Sequence, residues 1–278
     1  MKKLLAIFAH PDDEGAIAGT LAAYARQGVE VSLICTTRGE VGEISDPALA
    51  TPETLGEVRT KELETACEVL GIQNLHFLGY RDSGMQGTPE NEDPRSLVQA
   101  DSEEAIERLV GLMRQLKPDV VVTFEPFGWY GHPDHQTTGR FATAAYERLD
   151  DAAAYPAAGS PWQPQRLYQA VMPASNFEKI MAIAKEYDID MSGFEQLPLD
   201  ILRETESQVT HILDQRALYD VRQTAMMAHK TQFGEDSIFQ KIPEQVAQET
   251  FGKDYFIQVY PEPAETLRAE QASDLFEG

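Results

Sequence analysis

Cysteine is nearly missing from this chain, with two residues, Cys35 and Cys67, in 278. They form no Cys-x-x-Cys pair and no framework spacing, which excludes a disulfide-built fold and fits a reducing compartment. Both fall in apolar patterns, where a thiol packs rather than ligates. Positive charge is scarce as well: 23 Lys and Arg stand against 46 Asp and Glu, a net charge of −23. So acidic a surface repels phosphate backbones and anionic bilayers, which disfavours nucleic acid and membrane as partners. No apolar run is long enough to cross a bilayer. Lys2-Lys3 ahead of residues 4–8 superficially resembles a leader, but its apolar part is too short. It is expected to be a retained first strand of a soluble, cytoplasmic protein. Internal repeats and low-complexity segments are also lacking.

The chain does contain two clusters of acids and histidines, each close behind an apolar run. Leu4-Leu5-Ala6-Ile7-Phe8 leads into Ala9-His10-Pro11-Asp12-Asp13-Glu14, and Val120-Val121-Val122-Thr123-Phe124 precedes Tyr130-Gly131-His132-Pro133-Asp134-His135. Continuous apolar runs of this length read as buried parallel strands. An open α/β sheet binds its ligands at the carboxyl ends of such strands.

The intervening pattern predicts helices over 16–27 and 53–70 and strands over 29–35 and 75–78, a β-α-β arrangement that implies a parallel sheet. Asp101-Ser102-Glu103-Glu104 reads as a capping box opening a helix to 117, and a further helix is expected over 133–149. Beyond it the spacing predicts strands at 167–172, 208–213 and 255–260 and helices at 177–185 and 214–229. The tail after Pro263 is expected to fray. Long loops after the second and third strands, rich in Gly, Pro and acids, suit a functional edge. The whole is expected to be one α/β domain over 1–278. In it 1–150 is a metal-site core, 151–262 packs on that core and 263–278 is an acidic tail.

His10 and Asp13 lie three apart, so a helical turn lets both face one point. With His135 they make two imidazoles and a carboxylate around an open position, a hydrolytic zinc arrangement that also suits iron(II), one ion per chain. Sharing that ion requires strands one and four to be neighbours. The fold class that follows is a Rossmann-like, doubly wound, mainly parallel sheet in the order 3-2-1-4-5, with C-terminal additions. A Gly-x-Gly-x-x-Gly fingerprint is missing after strand one, which argues against a dinucleotide. Asp12 is then free to act as general base, His132 to face the substrate as acid or oxyanion stabiliser, and Asp134 to hold the His132 ring. Competing readings remain for each: Asp12 or Asp13 as a helix cap, Asp134 as a first-turn acid, Tyr130 as a packed aromatic, Arg59 as a solvated cation. His76 reads as a core or edge histidine, His211 carries no motif, and His229 reads as a packing residue with site lining as the alternative. Arg38, Arg59, Arg81 and Arg95 are the cations available to gather against an anionic substrate group.

The two motifs are joined by Thr37-Arg38-Gly39-Glu40, Arg59 and Glu62, Tyr80-Arg81-Asp82-Ser83-Gly84-Met85 and Ala228-His229-Lys230-Thr231-Gln232. Together, over 4–233, they resemble the PIG-L (LmbE-like) family of zinc-dependent de-N-acetylases. The resemblance implies zinc at His10, Asp13 and His135, with Asp12 as base and His132 as acid or oxyanion stabiliser. It adds Tyr130 as a group polarising the acetamide carbonyl, and Arg59, Asp82 and Met85 as substrate-binding positions. The implied substrate is a small acetylated amino sugar, of the GlcNAc-inositol type of mycothiol synthesis or the GlcNAc-malate type of bacillithiol synthesis. Two alternatives stay open, an amidase cleaving mycothiol-type S-conjugates and a metal-binding regulatory protein without turnover. A homo-oligomer is compatible with all three.

Overall fold

Strand β1 (Lys3–Phe8) divides its side chains between two cores: Leu4, Ala6 and Phe8 enter one, Leu5 and Ile7 the other. That two-sided burial is why the run carries no polar alternation. The computed structural model describes residues 1–189, 197–234, 237–263 and 273–277. In it β1 pairs in parallel with β2 (Glu30–Cys35) on one side and β4 (Val120–Phe124) on the other, Leu4 lying opposite both Val31 and Val120. β3 (Asn74–Phe77) and β5 (Arg166–Val171) extend the sheet outward in parallel. The order 3-2-1-4-5 therefore holds, and the switch point opens between β1 and β4 as expected.

Helices α1 (Ala18–Arg26) and α2 (Leu55–Leu70) cover the first face. The second is covered by α3 (Ser102–Leu116) and α4 (Pro133–Tyr146), α3 through the stripe Ile106, Leu109, Val110 and Met113. At the start of α3, Asp101 accepts from the Glu104 amide at 3.0 Å, but the Glu104 carboxylate turns to Tyr80 and Arg108 instead of reaching back. The expected capping box is thus half made.

The C-terminal part departs further from expectation. Helix α5 (Ala174–Glu186) forms, and unanticipated helices follow it, among them α6 (Leu199–Ser207), which buries Leu202, and α9 (Glu244–Phe251), which buries Ala247 and Thr250. The helix expected over 214–229 is shorter. Residues up to 214 are taken by β6 (His211–Asp214), and only α7 (Tyr219–Met226) is α-helical, with the short α8 (Ile238–Lys241) following. Tertiary pairing decides this: β7 (Lys253–Tyr260) runs antiparallel between β5 and β6, with His211 opposite Phe256. The fraying tail is a second correction. Residues 264–272 lie outside the described residues, but Leu275 and Phe276 are buried in the first core. Tyr24 Oη donates to Asp274 at 2.8 Å, and the Leu275 amide donates to Tyr24 Oη at 2.6 Å. No helix among the described residues is long and apolar enough to cross a membrane.

Candidate active site

The carboxyl ends of β1 and β4 bring both clusters to one point. His10 Nδ1 lies 3.2 Å from His135 Nε2, which lies 3.2 Å from Asp13 Oδ1; Asp13 Oδ2 is 3.6 Å from His10 Nδ1. The backbone aims these groups. Asp13 Oδ2 accepts the amides of Ala9 and His10 at 3.1 and 2.7 Å, fixing the carboxylate at the strand end. Gly128 O accepts from His135 Nδ1 at 3.2 Å, and Asp134 Oδ2 accepts from His10 Nε2 at 3.2 Å. A carbonyl and a carboxylate can only accept, so these bonds put the ring protons on the outer nitrogens and turn lone pairs inward. Burial works against a charged His10 ring, yet Asp82, Asp134 and Asp13 together raise it to about 9, so a cation taken up on the inward nitrogen displaces a proton from it. For Asp13 burial is outweighed by His135 and His10, which hold the carboxyl well below its usual range.

Asp12 does not cap the following helical turn (Asp13–Ile17); it sits at φ 108° with no side-chain capping bond. A non-glycine residue in that region costs on the order of 1–3 kcal/mol and persists only where its surroundings impose it. Arg59 supplies one restraint, Nη2 standing 3.2 Å from Asp12 Oδ2 and also donating to Pro11 O. Glu14 supplies another, Oε2 accepting the Asp12 amide at 3.0 Å. Burial pushes the Asp12 carboxyl up to about 6, with Arg59 opposing. His132 caps α4, its Nδ1 accepting from the Asp134 amide at 3.1 Å, with ring centroids 4.6 Å from His10 and 5.1 Å from His135. Burial, then His10 and His135, take it down to about 3, so the ring is neutral. The expected Asp134 clamp on His132 is not formed, because the Asp134 carboxylate bonds His10 instead. Tyr130, partly buried, has its ring 5.0 Å from His135, and burial with Asp13 and Asp12 drives its phenol well above its ordinary value.

Residues 5–146 match the family described as PIG-L, GlcNAc-PI de-N-acetylase. A relative from Nocardiopsis dassonvillei, 1D-myo-inositol 2-acetamido-2-deoxy-alpha-D-glucopyranoside deacetylase, is 38% identical over 98% of this chain and 99% of its own. The chain belongs to the PIG-L family. This PIG-L chain is a de-N-acetylase. Its fold is also that of the N,N'-diacetylchitobiose deacetylase from Pyrococcus horikoshii, with a TM-score of 0.66 at 20% identity, covering 96% of this chain and 88% of that one. A 4-carboxy-2-hydroxymuconate hydratase from Pseudomonas putida shares the fold too, with a TM-score of 0.61 at 17% identity over 96% of this chain and 100% of the other. Fold alone does not fix the reaction.

The inward face of the PIG-L cluster fits a metal ion. Ligands bonded at about 2.0–2.1 Å in a tetrahedron stand about 3.3 Å apart, close to the 3.2 Å between His10 and His135, with one Asp13 oxygen facing each ring. Two imidazole lone pairs and a carboxylate at such distances repel unless a cation or a proton lies between them. Among the described residues two groups bring one ligand atom each within mutual reach, His10 with His132 and His135, and His10 with Asp82 and Asp134; Asp13 adds a carboxylate beside the first. In the second, Asp134 Oδ2 already accepts from Ser83 N at 2.9 Å as well as from His10.

Asp82 comes within 3.7 Å of His10 Nε2, held by the amides of Val41 and Gly84. Met85 stands 46 % exposed on the same loop. Arg59 is buried on Asp12 rather than solvated, whereas Arg38, Arg81 and Arg95 do gather, lining one cavity of about 420 Å³ with Glu40, Glu53 and Glu57. Glu40 ties that cavity to the cluster by accepting the Asp82 amide at 3.0 Å. Glu14 and Glu125 were missed. Glu125 accepts the amides of Phe127 and Trp129, both at 2.6 Å, and so shapes the turn that delivers Tyr130 and His132. Glu14 carries a signal, its place inside the first motif; nothing in the local pattern of Glu125 marks it.

Proposed function

We propose that this de-N-acetylase removes the acetyl group from a small GlcNAc-containing molecule, GlcNAc-inositol before GlcNAc-malate. The observation that carries the reading is the convergence of His10, Asp13 and His135 donor atoms beside the half-buried, Arg59-held carboxylate of Asp12. A divalent zinc or iron ion held by those three residues would acidify a water and polarise the acetamide carbonyl.

The chain's own groups do the rest. Asp12 takes a proton from the attacking water, whose oxygen bonds to the acetamide carbon. A carboxyl near 6 is matched to both taking and returning a proton close to neutral pH. His132 accepts on Nδ1, so its proton rests on Nε2, from which it donates to the forming oxyanion. His132 rests neutral and serves as the donor to the oxyanion, and the proton that Asp12 takes from the water passes on to the leaving amine. Tyr130, kept as a phenol, is a second donor towards the carbonyl. The C–N bond then breaks to give acetate and a free amino sugar. Arg59, buried on Asp12, orients the base, while Asp82 and Met85 flank the sugar. The cavity of mixed guanidinium and carboxylate groups beside Asp82 suits a hydroxyl-rich aglycone. Two free, buried cysteines go with a cytoplasmic setting.

Purified protein is incubated with GlcNAc-inositol, GlcNAc-malate and a mycothiol-type S-conjugate, and acetate and free amine are measured. Equimolar acetate and amine, fastest from GlcNAc-inositol, is the expected result. Acetate from none of the acetylated sugars overturns the reading, and cleavage of the S-conjugate alone assigns the amidase.

A further inference from the structure

Behind Asp12 lies a fully buried acid and histidine that the reaction above does not use. His229 Nε2 is 2.7 Å from Glu14 Oε1, both side chains are 1 % exposed or less, and Glu14 Oε2 accepts the Asp12 amide. His229 Nδ1 has no hydrogen-bond partner among the described residues, so Glu14 is the one polar group this buried ring engages there. The histidine follows α7, far outside the 5–146 segment that matches the family. Its segment is clamped in place: Glu62 of α2 accepts the Thr231 amide at 2.8 Å and the Thr231 hydroxyl at 2.6 Å, and Ser45 N donates to Thr231 O at 2.9 Å.

We infer that His229 and Glu14 are a positioning pair for Asp12, holding its backbone in the left-handed conformation that presents the carboxylate to the reacting water. The inference rests on the role proposed above for Asp12. Two restraints then act on Asp12, Arg59 on its carboxylate and Glu14 on its amide, and His229 acts through Glu14. Without the donor on His229, the Glu14 carboxylate is left buried and unpaired, and it rotates or takes up a proton. Either change releases the Asp12 amide, and the base leaves the alignment that proton transfer needs. A buried acid–histidine pair is weak evidence of stability, since apolar residues of similar volume often replace such pairs at no cost. A role at Asp12 explains why a strap from the C-terminal part reaches this point.

The test compares His229→Leu, which fills the space without a donor, with His229→Gln, which keeps an N–H for Glu14, each alone and combined with Asp12→Asn. Metal content, KM and kcat on the acetylated substrate are measured, with His229→Met replacing His229→Leu should the latter not fold. In His229→Leu, kcat falls by about tenfold or more while KM and metal content hold; His229→Gln keeps most of the rate. In the Asp12→Asn background the leucine costs nothing further, as it must if His229 acts through Asp12. An undiminished kcat in His229→Leu, equal losses in the two variants, or a full additional loss on top of Asp12→Asn overturns the inference. An Asp12→Asn protein with parental kcat instead overturns the role of Asp12 itself.

Discussion

His135 is the buried centre of the cluster: its ring stacks on Phe124 at a centroid distance of 4.2 Å, and Gly128 O fixes its tautomer. Both His135 and His132 lie within reach of His10, but they are oriented differently. His135→Ala is therefore expected to abolish bound metal in elemental analysis, whereas His132→Ala keeps about one ion per chain and loses rate. Equal loss of metal in both variants would instead favour the group of three histidines. Most of this was legible in the sequence, because His10, Asp12 and Asp13 are neighbours at one strand end, and His132 and His135 at another. What each residue does with its neighbours was less so. Asp134 was read as the clamp of His132, but three-dimensional packing puts its carboxylate on His10 and leaves only its amide for His132.

At the level of elements, the site depends on how closely α4 sits against β4. Gly139 permits that approach, since a Cβ there would stand 2.9 Å from Phe124 O and 3.3 Å from Phe124 Cβ, and neither backbone nor packed ring can yield cheaply. Gly139→Ala is expected to destabilise the fold by about 1–3 kcal/mol, read as a lower urea midpoint at unchanged slope. A midpoint equal to the parent's would show that α4 can shift. Because His132 and His135 ride on the first turn of this helix, metal content should fall in step with any shift. The parallel strands and α1 to α4 were readable because their apolar periods are long and their ends carry turn residues. β6 and β7 form within a few residues of the strands expected at 208–213 and 255–260, but their antiparallel pairing with each other and with β5 is a contact no local pattern announces.

Across the whole molecule, the far edge of the sheet is joined by a buried polar group remote from the clusters. His211 Nδ1 lies 2.9 Å from Thr210 Oγ1 and its Nε2 3.4 Å from Tyr168 Oη, which itself donates to Leu275 O at 3.2 Å. Burial, then Arg166, lowers the His211 ring to about 4, with Asp274 opposing. The folded value lies below the unfolded one of about 6.5, so the native state binds fewer protons and its stability falls as pH drops through that interval, by up to about 3 kcal/mol. Urea midpoints of the parent should decline from pH 7 to 4, and His211→Gln should flatten the decline. The same slope in both proteins would remove His211 as its cause. No sequence pattern disclosed this assembly. It needs Tyr168, His211 and Leu275, which are far apart in the chain.

By itself the sequence determined the parallel strands and the identity of the chemical groups at their ends. Short apolar runs bounded by turn residues fit strands buried on both faces, and the demand that both clusters share one point sets strands one and four side by side. Only the tertiary structure decided which partner each group takes. That Arg59 is buried on Asp12, that Asp134 serves His10, that His229 reaches Glu14 and that Leu275 closes the first core are all contacts between distant segments. Their energies come from burial and pairing that exist only once the sheet and both helical layers have closed around them.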